Sequence, residues 1–208
     1  MSGRHVLITG FGPFPGVPVN PSAMLARRLG ASPRLRTLTG GQVRVRILTT
    51  AYRAIADELT PALAEGPAAV LMIGVAGRAK RVRVEVRARN RVSRLFPDAS
   101  GRIATGLTLD ADGPDERRAP VAAKALAALC RNGVAAIRSQ DAGRYLCNAS
   151  YYWALAEGVP VLFLHIPPVP RKARPGRPKR RPGGAALEAG CVALIGQLLR
   201  HGRLPSHR

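Results

Sequence analysis

The sequence predicts an α/β fold built on a largely parallel sheet. Short apolar runs at 5–9, 43–49, 68–73 and 159–165 read as strands, and segments of helical periodicity lie between them. The chain has 208 residues, enough for one core that buries about 70% of the surface its unfolded form exposes, so a single domain over 1–208 is expected. Four strong strands separated by helical stretches are the arrangement that crossover connections between parallel strands require.

Residues 5–9 are the first buried strand, followed by a Gly/Pro loop. Asn20 then has the residue type of an N-cap and Pro21 that of a first helical position, which predicts a helix to about residue 29. The second strand is placed at 43–49. Residues 52–65 read as an amphipathic helix that Pro61 must kink or divide, because proline lacks the N–H and clashes with the preceding turn. A short apolar strand follows at 68–73.

From Lys80 to Arg89 the pattern becomes strict alternation. Val82, Val84, Val86 and Ala88 fall on one face, and Arg81, Arg83, Glu85, Arg87 and Arg89 on the other. Such alternation predicts a strand with one wet face, near an edge or in a hairpin. Residues 91–116 are turn-rich and read as an excursion from the sheet. An alanine-rich helix is expected at 119–131, a strand at 134–137, a helix at 148–157, a strong strand at 159–165 and a closing helix at 185–201. Between the last two lies 167–184, dense in proline and carrying seven basic residues. It cannot bury a core and is expected to be an extended, mobile loop.

The formal net charge is +21, from 33 basic and 12 acidic residues. Only Lys80, Lys124, Lys172 and Lys179 are lysines, so arginine dominates, together with alanine, glycine and proline, as a bias of the whole coding sequence would produce. On either origin the charge predicts nonspecific polyanion contact at low salt. No run of 18 apolar residues occurs and no charged–apolar–small leader layout opens the chain, which points to a cytoplasmic protein without membrane contact. Cys130, Cys147 and Cys191 are odd in number and lack a Cys-x-x-Cys, which argues against a disulfide framework or a zinc site.

Two residues stand out chemically. Cys147 sits in Gly143-Arg144-Tyr145-Leu146-Cys147-Asn148, at a turn into a helix, where a helix N-terminus or an imidazolium lowers a thiol pKa from ~8.5 to as low as ~3.5. His165 ends an apolar strand, so an imidazole is delivered at a strand end. Cys130 and Cys191 fall on apolar faces of predicted helices and read as packing residues. The loop Gly10-Phe11-Gly12-Pro13-Phe14-Pro15-Gly16 is no phosphate cradle, since its prolines lack the N–H groups needed and no Gly-Lys-Ser/Thr follows.

Tyr145-Leu146-Cys147-Asn148, His165-Ile166-Pro167, Thr9-Gly10-Phe11-Gly12-Pro13-Phe14 with Asn20-Pro21-Ser22, and Gly74-Val75-Ala76-Gly77 with Glu85 and Asn90 resemble, and follow along the chain in the same order as, the signatures of the pyroglutamyl peptidase family of cysteine peptidases. The resemblance implies a single three-layer α/β/α domain with a twisted, largely parallel sheet, often a homo-oligomer. It implies an exopeptidase that removes an N-terminal pyroglutamyl residue from peptides without metal or organic cofactor. It makes Cys147 the nucleophile, His165 the acid/base and Glu85 the orienting carboxylate. Phe11 and Phe14 become the apolar wall around the lactam ring, with Arg94 and Leu146 on the substrate side. Departures from the family lie around this frame: Glu85-Val86-Arg87 transposes its usual order, Arg94 is offset by one position, and Arg144 replaces a small hydroxylated residue. They leave two alternatives: a related cysteine amidase with another small substrate, and a catalytically lapsed basic protein that binds polyanions.

Overall fold

The computed structural model describes residues 5–14, 16–95, 97–168 and 183–202. The run Val6–Phe11 forms β1, whose residues are all buried. A strand buried on both faces belongs inside a sheet, and β1 lies between parallel neighbours β2 (Val43–Leu48) and β3 (Ala69–Val75). Between β1 and β2 the chain forms helix α1 (Pro21–Gly30), where the Asn20 side chain accepts from the Ser22 N–H at 3.1 Å and Pro21 opens the first turn. Gly10 lets α1 sit against β1: a Cβ there would stand 2.7 Å from the Ser22 carbonyl oxygen. A second helix, α2 (Pro33–Thr39), follows where the sequence predicts none. Leu35 is its one buried residue, too little to create a visible apolar stripe.

The segment 52–65 is divided, as Pro61 requires. A π-helical turn at Ile55–Leu59 runs into α3 (Thr60–Ala64), and Thr60 Oγ1 donates to the Ile55 carbonyl at 2.9 Å.

The alternating stretch corrects the sequence reading. Its first half, β4 (Val82–Glu85), is interior rather than at an edge: it lies between β8 (Val161–Ile166), to which it runs antiparallel, and β7 (Ala136–Ser139), to which it runs parallel. The ladder is lost at Val86. Beyond it β5 (Arg87–Arg89) pairs antiparallel with β6 (Glu116–Arg118) as a separate two-stranded sheet. Alternation reports only that two faces differ; here the second face of β4 meets other side chains instead of water. The main sheet runs β2-β1-β3-β8-β4-β7, parallel except at β8–β4.

Helices cover both sides. On one lie α1, α4 (Ala122–Arg131) and α6 (Gly184–Gly202), packed on one another and on β1, β3 and β4. On the other lies α5 (Leu146–Ala154), against β8 and the π-helical turn. The fold is thus α/β with a mostly parallel central sheet. Helix α5 starts two residues before the predicted 148, which puts Cys147 inside its first turn. No described helix is long and apolar enough to cross a membrane. Of the proline-rich stretch predicted at 167–184, residues 169–182 lie outside the described residues.

Candidate active site

The face of the sheet under α5 carries the site. Register aligns Met72 with Phe163, Gly74 with His165, and on the far side Phe163 with Glu85 and His165 with Arg83. In-register residues share a face, so Gly74, His165, Arg83 and Glu85 all look toward α5. His165 Nδ1–H donates to Glu85 Oε1 at 2.8 Å, and the Cys147 sulfur lies near enough to act on the ring. Three residues far apart in the chain therefore form one line: carboxylate, imidazole, sulfur.

Glu85 is 0% exposed, so it does not lie on a wet face as the alternation predicts. Its Oε2 has no hydrogen-bond partner among the described residues, so His165 is its one ion-pair partner there. A buried carboxylate without a cation is strongly disfavoured, and His165 supplies that cation. Burial opposes charge on the His165 ring, but the Cys147 sulfur and then Glu85 outweigh it and push the imidazole up to about 9. The Phe163 ring packs on the imidazole, centroids 4.8 Å apart, and fixes its plane.

Cys147 is half-buried in the first turn of α5. Tyr145 stands at the N-cap and its side chain makes no capping hydrogen bond, so the N–H groups of this turn gain no acceptor from it. Gly74 makes room for the thiol: a Cβ there would lie 2.9 Å from Sγ and 2.8 Å from the Phe163 ring. The helix is strapped down on every side. Asn148 Oδ1 accepts from Arg89 N–H at 2.8 Å, and its Nδ2 donates to the carbonyls of Arg89 and Arg91 at 2.8 and 2.9 Å. The hydroxyls of Tyr145, Tyr151 and Tyr152 donate to the carbonyls of Pro97, Glu85 and Pro114. Tyr145 also meets Tyr52 edge to face at 5.7 Å, and Asp98 accepts the Tyr52 N–H at 2.9 Å. Sequence reasoning did not assign Gly74, Tyr151 or Asp98 a part in the site. Asn148 was visible only as part of a motif, because its work is done on main-chain groups 57 and 59 residues away.

Phe11 is buried, 6.5 Å from the Phe163 ring, on the same side of the sheet as the site. Phe14 is 36% exposed, on a short turn closed by its paired backbone bonds with Val17. Leu146 is 2% exposed and its side chain lies in the core, so only its main chain is offered to a ligand. Arg94 is exposed; beside it the Ser93 N–H donates to the Arg144 carbonyl at 2.7 Å, which ties this loop to the approach to Cys147. Cys191 is fully buried, as its apolar helix face predicts, but Cys130 is exposed, because α4 turns that position to solvent. Among the described residues no cluster of three or more histidines, cysteines and carboxylates is placed to hold a metal ion.

The family model described as pyroglutamyl peptidase matches residues 4–184. The pyrrolidone-carboxylate peptidase of Chromobacterium violaceum is 37% identical over 196 residues, covering 92% of this chain and 89% of that protein. The crystal structure of pyrrolidone carboxyl peptidase from Thermus thermophilus is 29% identical with a TM-score of 0.78, covering 93% of this chain and 100% of the other. Pyroglutamyl peptidase I of Bacillus amyloliquefaciens shares the fold at a TM-score of 0.80 over 96% of this chain and 98% of its own, at 23% identity. With these likenesses spanning nearly its full length, the chain belongs to the pyroglutamyl peptidase family.

Proposed function

We infer that this protein is a cysteine exopeptidase that hydrolyses the amide bond after an N-terminal pyroglutamyl residue, with Cys147 as nucleophile, His165 as general acid and base, and Glu85 as the carboxylate that orients the imidazole. The observation that carries this reading is the buried Glu85–His165 hydrogen bond set beside the Cys147 sulfur, which acts on the same ring. A polyanion-binding protein has no use for a fully buried carboxylate tied to one histidine.

The steps balance with these residues. The Cys147 thiolate adds to the pyroglutamyl carbonyl carbon, and the oxyanion meets N–H groups of the first turn of α5, each such donor worth about 3–4 kcal/mol. His165 passes its Nε2 proton to the leaving amine as the C–N bond breaks, leaving a thioester on Sγ and a neutral imidazole held by Glu85. Water then enters, gives its proton to His165 and adds to the thioester. Collapse releases pyroglutamate and restores the thiolate–imidazolium pair. Phe11 and Phe14 wall the lactam ring, the Leu146 main chain faces its polar edge, and Arg94 flanks the entrance. A reactive thiol suits the reducing cytoplasm.

The test is turnover of a fluorogenic pyroglutamyl amide beside a prolyl amide. Hydrolysis of the first alone supports the peptidase. Hydrolysis of the second favours the amidase with another substrate, and hydrolysis of neither contradicts the reading.

A further inference from the structure

We propose that Arg83 forms an acid-selecting subsite on the leaving-group side of the scissile bond, taking the carboxylate of an aspartate or glutamate that directly follows the pyroglutamyl residue. The proposal rests on the peptidase reading above and adds a preference among its peptides.

The argument begins with the order of residues across the sheet. Thr9 of β1 is level with Met72 of β3, which puts Phe11 near the row of Gly74; Gly74 is level with His165 of β8, and His165 with Arg83 of β4. Adjacent strands are about 4.8 Å apart, so these side chains mark successive steps along one line. The Cys147 sulfur stands over Gly74. A lactam ring against Phe11 and a carbonyl carbon at Sγ leave one direction for the rest of the peptide. The nitrogen that receives the His165 proton lies toward β8, and the residue it belongs to lies toward β4 and Arg83.

The second strand of the argument is charge. Arg83 is half-buried, with no hydrogen bond or ion pair among the described residues. Its surroundings show that this is not for want of such pairs nearby: in the adjacent hairpin Arg87 and Arg118 hold Glu116 at 2.7 and 2.5 Å, and Arg117 holds Asp110 at 3.4 Å. The one acid on β4, Glu85, is committed to His165. Just before it in the chain come the exposed Arg78, Lys80 and Arg81, all of the same sign. Its in-register neighbour on β7 is Ile137, which offers the arginine stem an apolar bed and its head no partner. A half-buried, unpaired guanidinium at the exit of the scissile bond matches a peptide carboxylate, which it can grip through two parallel N–H groups.

The experiment compares kcat/KM for pyroglutamyl-aspartyl-alanine amide and pyroglutamyl-alanyl-alanine amide, at low salt and in about 0.5 M sodium chloride, where screening cuts the reach of a charge to a few ångströms.

 The ratio of the two constants is the readout, carried mainly by KM. For the native protein the aspartyl peptide is favoured roughly fivefold at low salt, the size that a partly solvated ion pair supports, and the preference shrinks as salt screens it. Arg83→Gln brings the ratio to about one, Arg83→Lys keeps part of it, and Arg83→Glu takes it below one. Arg36→Gln, which removes the same charge from an exposed position on α2, leaves the ratio as it was and separates a local contact from the field of the whole protein. A native ratio near one, or a preference that survives Arg83→Gln, overturns the subsite while leaving the peptidase intact. If neither peptide nor the plain pyroglutamyl amide is cleaved, the peptidase reading itself fails and the subsite fails with it.

Discussion

His165 and Glu85 are not opposite each other in the sheet: the residue level with His165 on β4 is Arg83, and Glu85 reaches His165 diagonally from two positions along, with Nδ1 and Oε1 2.8 Å apart. The diagonal engages Nδ1 and leaves the other ring nitrogen free of Glu85. Phe163, two residues before His165 on the same face of β8, packs its ring on the imidazole.

The first prediction concerns pH. Because His165 is pushed up to about 9, the imidazolium and the stability it contributes are fully present below about 6.5 and are lost as pH rises through about 9. The kcat/KM of a pyroglutamyl amide should therefore fall on an alkaline limb near 9. Glu85→Gln removes one of the groups that favour the cation, so the limb should move to lower pH and turnover should drop by roughly two to four powers of ten. An unchanged limb in that variant would show that Glu85 does not act on the imidazole.

Gly74→Ala should damage chemistry more than folding. The added methyl meets the Cys147 sulfur and the Phe163 ring below 3.0 Å, and such overpacking costs typically about 1–3 kcal/mol. If Cys147 attacks the substrate as proposed, displacing its sulfur by about 1 Å should cost about a hundredfold in kcat. Adding Phe163→Leu relieves only the ring contact. Recovery of full turnover in the double variant would mean that Gly74 serves packing rather than the thiol.

Asn148→Asp should be worse than Asn148→Ala, although aspartate is nearly isosteric. The carboxylate can still accept from Arg89 N–H, but it turns an oxygen toward the carbonyls of Arg89 and Arg91, where the amide donated. Asn148→Ala loses three hydrogen bonds, about 2–4 kcal/mol by the usual net value. Urea unfolding of the two variants at neutral pH checks the order.

What the sequence made legible follows from where each signal is stored. Apolar runs such as Val161–Ile166 announce buried strands because burial on both faces demands apolar residues throughout. Cys147 and His165 were legible because each ends or begins an element. The antiparallel turn of β4 was not, since alternation carries no direction, and neither was its interior position. The burial of Glu85 depends on α5 and β8, which come more than 60 residues later. Helix α2 was missed because one buried leucine leaves no periodic stripe. Gly74 and Asn148 act on partners distant in sequence, so their residue types alone say little.

The thioester tests the account most directly. A pyroglutamyl ester mixed with the native protein and quenched in acid within the first turnovers should leave one pyroglutamyl group per chain, located by peptide mass spectrometry on Cys147 and absent from the exposed Cys130. Cys147→Ala should give no adduct and no turnover. Full turnover by Cys147→Ala, or an adduct on any other residue, would contradict the assignment of Cys147 as the nucleophile.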